Sequence, residues 1–355
     1  MLGFKQHYLD TKLIIHAYLL CYNEEKIIKS TLDYYSKFCS KIFVLDNMST
    51  DKSCEIASQY ENVTIIKWQN NGFIDESLYV SLKTQTYKNY SRKGGEFTSE
   101  VADWIISCDM DEILYHPDLI SAIKEYDKLG VTVPCITGFN VLGDEEINPK
   151  QDIIKQYSKA IRAKPFDKRI LFRCDFDMTY SFGCHPKGYG FEHMKQTYRY
   201  KSSDDFPLAL LHYKHIGQRF YEAGEKNSPR VNPKKLWLSE KNTQLGPGSH
   251  YLNIKSGALK KITEDQGTQL FDENYNIRFK SFPSCTKDKG LNAEQVKSAL
   301  AKNEVDFLRD LAVKLEREKA KYRAESIKLL ELALRFRPEG QFIKNKLKQY
   351  LKRIN

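Results

Sequence analysis

Apolar and polar positions fall in blocks over the first 115 residues, and the blocks switch between strand-like and helix-like spacing. Leu13 to Cys21 is almost wholly apolar, as a strand buried on both faces should be. Asn23 then stands as a candidate helix cap, with Glu24 and Glu25 in the first turn, where the helix dipole favours acids. Ile27, Ile28, Leu32 and Tyr35 keep helical spacing. A second strand, Lys41 to Leu45, ends at Asp46; a short helix spans Ser53 to Tyr60, and Val63 to Trp68 is a third strand. A longer helix is predicted over Glu76 to Tyr90, and a fourth strand, Trp104 to Cys108, ends at Asp109. This alternation predicts an α/β fold: a mostly parallel central sheet with flanking helices and right-handed crossovers.

Further along, Val131 to Leu142 reads as a strand pair, with Gly138 permitting a bend. Lys168 to Arg173 alternates like a strand and leads to Ser181 through Gly188, which contains His185. Leu208 to Lys214 is an apolar strand that emerges at His212; His215 falls on its opposite face. Ile216 to Lys289 is irregular and rich in Asn, Ser, Gly and Pro, the place where long loops act as lids or binding loops. From Asn292 the chain turns helical. Val296, Leu300, Phe307, Leu308, Leu311 and Leu315 make one apolar stripe; Ile327, Leu330 and Leu334, then Phe342, Ile343, Leu347 and Leu351, make two more. These stripes are expected to brace the main domain.

The chemistry gathers just past the strands. After the first comes Tyr22-Asn23-Glu24-Glu25, after the second Asp46 to Asp51, after the third Gln69 to Asp75, and after the fourth Asp109-Met110-Asp111-Glu112. Open α/β sheets bind ligands at this edge. Asp109 and Asp111, two apart at a buried strand end, can share a hard divalent ion and leave coordination sites for phosphate oxygens and water. An acid pair in that position is costly without a cation. The chain contains neither a G-x-x-x-x-G-K-[ST] loop nor a G-x-G-x-x-G turn, which removes the main support for P-loop and dinucleotide-binding readings.

Composition sharpens this picture. The 355 residues, 41% apolar and 29% charged, suggest about two domains and exclude disordered, collagenous and coiled-coil classes. The eight cysteines are scattered without a C-x-x-C pair and read as small buried hydrophobes, not as a zinc site or a disulfide framework. From Ala301 onward there are 15 Lys and Arg against 8 Asp and Glu, so +7 of the net +10 sits in the last 55 residues. A nucleic-acid enzyme would carry that charge around its site instead. No stretch reaches the roughly 20 apolar residues of a membrane span, and no secretion signal is visible, so a cytoplasmic protein is expected. Its basic tail can contact an anionic bilayer at the inner membrane face or an anionic glycan.

Taken together, Tyr22-Asn-Glu-Glu25, Val44-Leu-Asp-Asn-Met-Ser-Thr-Asp51 and Asp103-Trp-Ile-Ile-Ser-Cys-Asp-Met-Asp-Glu112 resemble a family 2-type glycosyltransferase of the GT-A (Rossmann-like) fold, over about residues 12 to 215. The resemblance implies base contact at Asp46, with Tyr22, Asn23 and Glu24 lining the nucleotide. It places Asp109 near ribose and metal and makes Asp111 a ligand of Mn²⁺ or Mg²⁺. His212 completes the metal site, with His185 as the reserve and a catalytic candidate, and Lys214 steadies the diphosphate. An inverting enzyme needs a general base; Asp204 and Asp205, about ninety residues past the acid pair, are candidates, Asp205 being the one preferred, and Asp144-Glu145-Glu146 offers another acidic cluster. The chain departs from the family pattern at Asn47 and Met48.

The expected organisation is a nucleotide-sugar-binding catalytic domain at 1–218, a loop-rich acceptor-side segment at 219–290 and a basic helical region at 291–355. The expected activity is metal-dependent transfer from a nucleoside-diphosphate sugar, UDP-sugar favoured, to a glycan or lipid-linked acceptor in surface polysaccharide or lipopolysaccharide synthesis. The alternatives are a nucleotidyltransferase that makes nucleotide sugars, against which Tyr22-Asn-Glu-Glu stands in place of a Gly-rich basic loop, and a non-catalytic glycan-binding protein, which has no need of two acids at a buried strand end.

Overall fold

The computed structural model describes residues 13–128, 131–178, 180–181, 185–186, 207–238, 244–282, 309, 312–313, 315, 323–336 and 340–351. Strand β1 (Ile15–Cys21) leads through helix α1 (Ile28–Tyr35) to β2 (Lys41–Asp46), and through α2 (Ser53–Ala57) to β3 (Val63–Lys67). Helix α3 (Glu76–Tyr90) then leads to β4 (Trp104–Asp109). The four strands lie in the order β3-β2-β1-β4, all parallel, with Leu20 beside both Leu45 and Asp109. Side chains alternate between two cores. Ile15, Ala17, Leu19, Val44, Trp104 and Ile106 enter one, and Tyr18, Phe43, Leu45 and Ile105 enter the other. Both faces are covered, which is why β1 reads as an apolar run interrupted only by His16.

A second sheet begins where the first ends. Strand β5 (Glu112–Tyr115) starts three residues after β4 stops, and helix α4 (Leu119–Lys128) follows. Strand β6 (Ile136–Gly143), helix α5 (Ile153–Gln156) and strand β7 (Lys159–Arg162) come next. Strand β8 (Leu171–Arg173) returns to the first sheet, antiparallel to β4. After two-residue strands β9 (Tyr180–Ser181) and β10 (His185–Pro186), the long β11 (Leu208–Ile216) pairs parallel with β6 and antiparallel with β5. The expected strand pair at Val131 to Leu142 is a single strand. Gly138 serves close approach there, because an added Cβ would lie 2.4 Å from the Phe166 backbone.

The segment expected to be irregular contains helix α6 (Arg219–Asn227), strands β12 (Trp237–Leu238) and β13 (Gln244–Leu245), helix α7 (Ser249–Lys255) and strand β14 (Thr268–Gln269), which extends the second sheet beside β7. The basic end carries α8 (Arg323–Phe336) and α9 (Gln341–Leu351). Their Ile327, Leu330, Ala333, Ile343 and Tyr350 join Ala312 in a core of their own. Val296, Leu300, Phe307, Leu308 and Leu311 lie outside the described residues. Among the described residues no helix is long and apolar enough to cross a membrane.

Candidate active site

The acid pair sits on the hand-over between the two sheets. Asp109 is the last residue of β4 in the first sheet, and Glu112 opens β5 in the second. The turn is pinned from both sides: Met110 N–H donates to the Leu20 carbonyl at 2.9 Å, and Tyr213 N–H donates to the Asp111 carbonyl at 2.9 Å. A cavity of about 610 Å³ opens over this turn. Its walls come from the carboxyl ends of β1 and β2, from α3, from β11 and from helices α6 and α7.

Asp109 is engaged by lysines on both oxygens. Lys83, wholly buried on α3, donates to Oδ1 at 2.8 Å, and Lys168 lies 3.4 Å from Oδ2. Lys168 also binds the fully buried Glu112, whose Oε2 accepts from the Asp109 N–H at 3.1 Å. Burial opposes the charged form of Asp109, but Lys83 and Lys168 outweigh it and hold the carboxyl down at about 2. Its carboxyl, half exposed, lines the cavity with a lysine near each oxygen.

Asp111 is placed otherwise. His212 Nε2 stands 3.5 Å and Arg219 Nη2 3.6 Å from its Oδ2. His212 Nδ1 donates to Asn140 Oδ1 at 2.8 Å, and its ring stacks on Phe166 at 4.0 Å. The proton fixed on Nδ1 leaves the Nε2 lone pair aimed at a carboxylate, a gap that a proton or a metal ion between them must fill. Burial raises the Asp111 pKa, yet the neighbouring His212 and then Arg219 outweigh it and hold the carboxyl well below the usual range. One imidazole and one carboxylate suit Mn²⁺ or Mg²⁺, which take further ligands from substrate phosphate and water. Asp111 and His212 therefore fit the ion.

Helix α6 supplies what the sequence left unassigned. Arg219 donates to Glu24 Oε2 at 2.9 Å, and Lys226 reaches Glu24 Oε1 at 2.6 Å and the Asn23 carbonyl at 2.8 Å. Just past the helix, Arg230 is buried with its guanidinium 3.5 Å from the Tyr22 ring centroid, and it donates to Asn227 Oδ1 at 3.0 Å. Trp68 and Tyr79 meet edge to face at 5.4 Å on the same wall. Lys214, two residues past His212, also lines the cavity and lies near the Phe220 and Tyr251 rings. Burial lowers its pKa to about 8, against the pull of Asp111.

Other expected positions fall differently. Asn23 does not cap α1; its φ of 52° turns the side chain across to the next loop, where Oδ1 accepts from Thr50 N–H at 2.8 Å. Asp46 is fully buried and takes the Ser49 N–H at 3.2 and 3.3 Å, so it shapes the β2 loop while Asn47 lines the cavity. His215 accepts from Ile262 N–H at 3.2 Å and stacks on Phe220, apart from His212. The His185 backbone pairs with Ser181, but its side chain and all of Asp205 lie outside the described residues.

No protein-family model and no curated protein matches the chain. Among solved structures it is similar to residues 1–349 of S. aureus TarS, with a TM-score of 0.34 and 15% identity over 60% of this chain and 64% of that one. TarS 1–349 in complex with UDP-GlcNAc gives 0.31 and 18%, over 48% and 49%. Glucosyl-3-phosphoglycerate synthase from Mycobacterium tuberculosis, in complex with Mn²⁺, UDP-glucose and phosphoglyceric acid, gives 0.25 and 19%, over 36% and 44%. The chain spans less than two thirds of the length of these solved chains.

Proposed function

We propose that the chain is a metal-assisted glycosyltransferase. It takes a sugar from a nucleoside-diphosphate sugar, a UDP-sugar being the leading donor, and passes it to a glycan or lipid-linked acceptor of a surface polysaccharide or lipopolysaccharide. The observation that carries this reading is the hand-over turn, where Asp111 and His212 face each other beneath a wall of cations and beside an aromatic slot. A nucleotidyltransferase reading lacks a Gly-rich basic loop after β1, where Tyr22-Asn-Glu-Glu stands.

Each wall then has a task. Tyr22, Trp68, Tyr79 and Arg230 offer flat surfaces and donors to a base and ribose. Arg219 and Lys214 present positive charge where a leaving diphosphate gains negative charge. A divalent ion held by Asp111 and His212 would supply Lewis-acid neutralisation of the same group. The basic α8–α9 pair lies apart from this chemistry and serves peripheral contact with an anionic membrane.

Two outcomes follow from this reading. Chelation with EDTA should bring donor hydrolysis and transfer to background, and added Mn²⁺ or Mg²⁺ should restore both; full activity in chelator would remove the ion from the mechanism. Arg230→Met should weaken UDP binding by about 1.5–3 kcal/mol, the range for a hydrogen bond to a charged group. Calorimetry with UDP, GDP and CMP, with and without Mn²⁺, checks it: unchanged UDP affinity would move the base slot away from Tyr22 and Arg230.

A further inference from the structure

We propose that the buried chain Tyr18–Ser91–His16–Glu100 is an acid-released latch. It fastens the segment 92–103 and the end of helix α3 to the amino edge of the first sheet while His16 is neutral, and lets them go when His16 takes a proton. This edge lies opposite the carboxyl ends that wall the cavity, so the latch stands apart from the nucleotide-sugar reading.

His16 is the polar interruption in β1, and it is fully buried. It shares a strand face with Tyr18, toward the Phe43 ring and the end of α3. Ser91, which ends that helix, is fully buried too. Its hydroxyl meets His16 Nδ1 at 2.6 Å and also meets the Tyr18 hydroxyl. On the other side of the ring, His16 Nε2 lies 2.8 Å from Glu100 Oε2, which also accepts from Ser40 Oγ at 2.6 Å. Glu100 reaches the surface, with 35% of its side chain exposed, and gives a proton a way in.

One ordering of hydrogens satisfies all four groups. A carboxylate only accepts, so Nε2 carries the ring proton and donates to Glu100. Nδ1 is then an acceptor: Ser91 O–H donates to it, and Tyr18 O–H donates to Ser91 Oγ. A proton on Nδ1 breaks this order. Nδ1–H then points at Ser91 Oγ, and of the two hydroxyl hydrogens shared by Ser91 and Tyr18 only one finds an acceptor. Leaving a buried donor unmade is costly. The charges around the ring do not reverse this. Burial disfavours imidazolium most; Glu100 and Asp103 favour it, and Lys41 on β2 opposes it, so the ring stays below the ordinary histidine value of 6.5. Tyr18 and Cys174 nearby are held neutral by burial. The latched form therefore binds fewer protons than the open one, and its stability is lost as pH falls below 6.5.

Glu100 ties the segment to β1 and to Ser40, and Ser99 beside it takes Lys41. The segment's other ties run to α3 itself: Phe97 N–H donates to the Asn89 carbonyl at 2.8 Å, and Ala102 N–H to the Ser91 carbonyl at 3.0 Å. Helix α3 also carries Tyr79 on the cavity wall and Lys83 against Asp109. Release at Ser91 therefore loosens the helix that forms this wall.

The test is amide hydrogen exchange of the full chain, read by mass spectrometry and corrected for the intrinsic effect of pH. From about pH 7 to about pH 5, exchange in 92–103 should accelerate at least about fivefold more than in peptides of β6 and β11. His16→Asn keeps a polar group that takes no proton in this range, so its segment should show no such acceleration. Glu100→Gln still offers an oxygen to Nε2–H but removes the charge that favours imidazolium, so release should move to lower pH. A parent segment that merely follows the rest of the protein would overturn the latch, as would undiminished acceleration in a folded His16→Asn protein. If His16→Asn does not fold, the NMR titration of the His16 ring in the parent decides: a ring still neutral when the segment opens would overturn the proposal.

Discussion

Asp111→Asn should lower kcat/KM for donor consumption by about 10²–10³-fold, the range for removing one preorganised electrostatic group, while leaving the fold nearly as stable as before. The substitution preserves size and removes only the charge. Arg219 keeps Glu24 at 2.9 Å, and His212 keeps Asn140 at 2.8 Å, so neither neighbour is stranded. What disappears is the carboxylate that faces His212 Nε2. Asp109→Asn should show the reverse balance. Its two lysines are buried, Lys83 completely, and they lose the charge they surround. That variant should therefore unfold at lower urea, while retaining more activity per folded molecule. Parallel urea titrations and donor-hydrolysis kinetics on the two asparagine variants separate these roles. Equal activity losses with equal stabilities would mean that the pair acts as a unit and that the lysine clamp on Asp109 has no functional meaning.

The central sheet was legible in the sequence because it is covered on both faces. Continuous apolar runs in β1, β2 and β4 allow few alternatives, and each run stops at a polar residue where the chain leaves the sheet. Helix α3 falls where a helical segment was expected, and Asp75 caps it by accepting from Ser77 and Leu78 N–H. The second sheet was harder to read. Strand β6 looked like a pair because Gly138 resembles a bend, whereas it admits the Phe166 backbone. Acids at the strand ends were visible, but their partners were not. Lys83, Lys168, Arg219 and Lys226 come from elements far along the chain, and a buried lysine spells the same as a solvated one. One signal was available for α6: Arg219 and Lys226, seven apart, share a helix face directly after the strand that carries His212. Asp46 shows the opposite limit, because its strand-end position was evident while its inward rotation toward Ser49 was set by packing.

Glu112→Leu should destabilise the protein by about 3–5 kcal/mol, the cost of breaking a buried ion pair from one side. Glu112 is fully buried at the start of β5, where one oxygen holds Lys168 and the other holds the Asp109 N–H. Leucine fills the space but leaves that N–H without its acceptor and Lys168 with only Asp109, 3.4 Å away. Glu112→Gln should fall between the two, since an amide oxygen can still take the N–H while the charge is lost. The double variant Glu112→Leu/Lys168→Met should recover much of the loss, because a buried pair replaced on both sides by apolar groups is often nearly neutral. Urea midpoints at constant m-value measure all three. The order expected is parent, then the double variant and Gln, then Leu alone. A single Leu variant within about 1 kcal/mol of the parent would show that Lys168 escapes into the cavity and finds water. The four-charge cluster would then be an open, hydrated arrangement, not the rigid floor on which Asp111 and His212 are set.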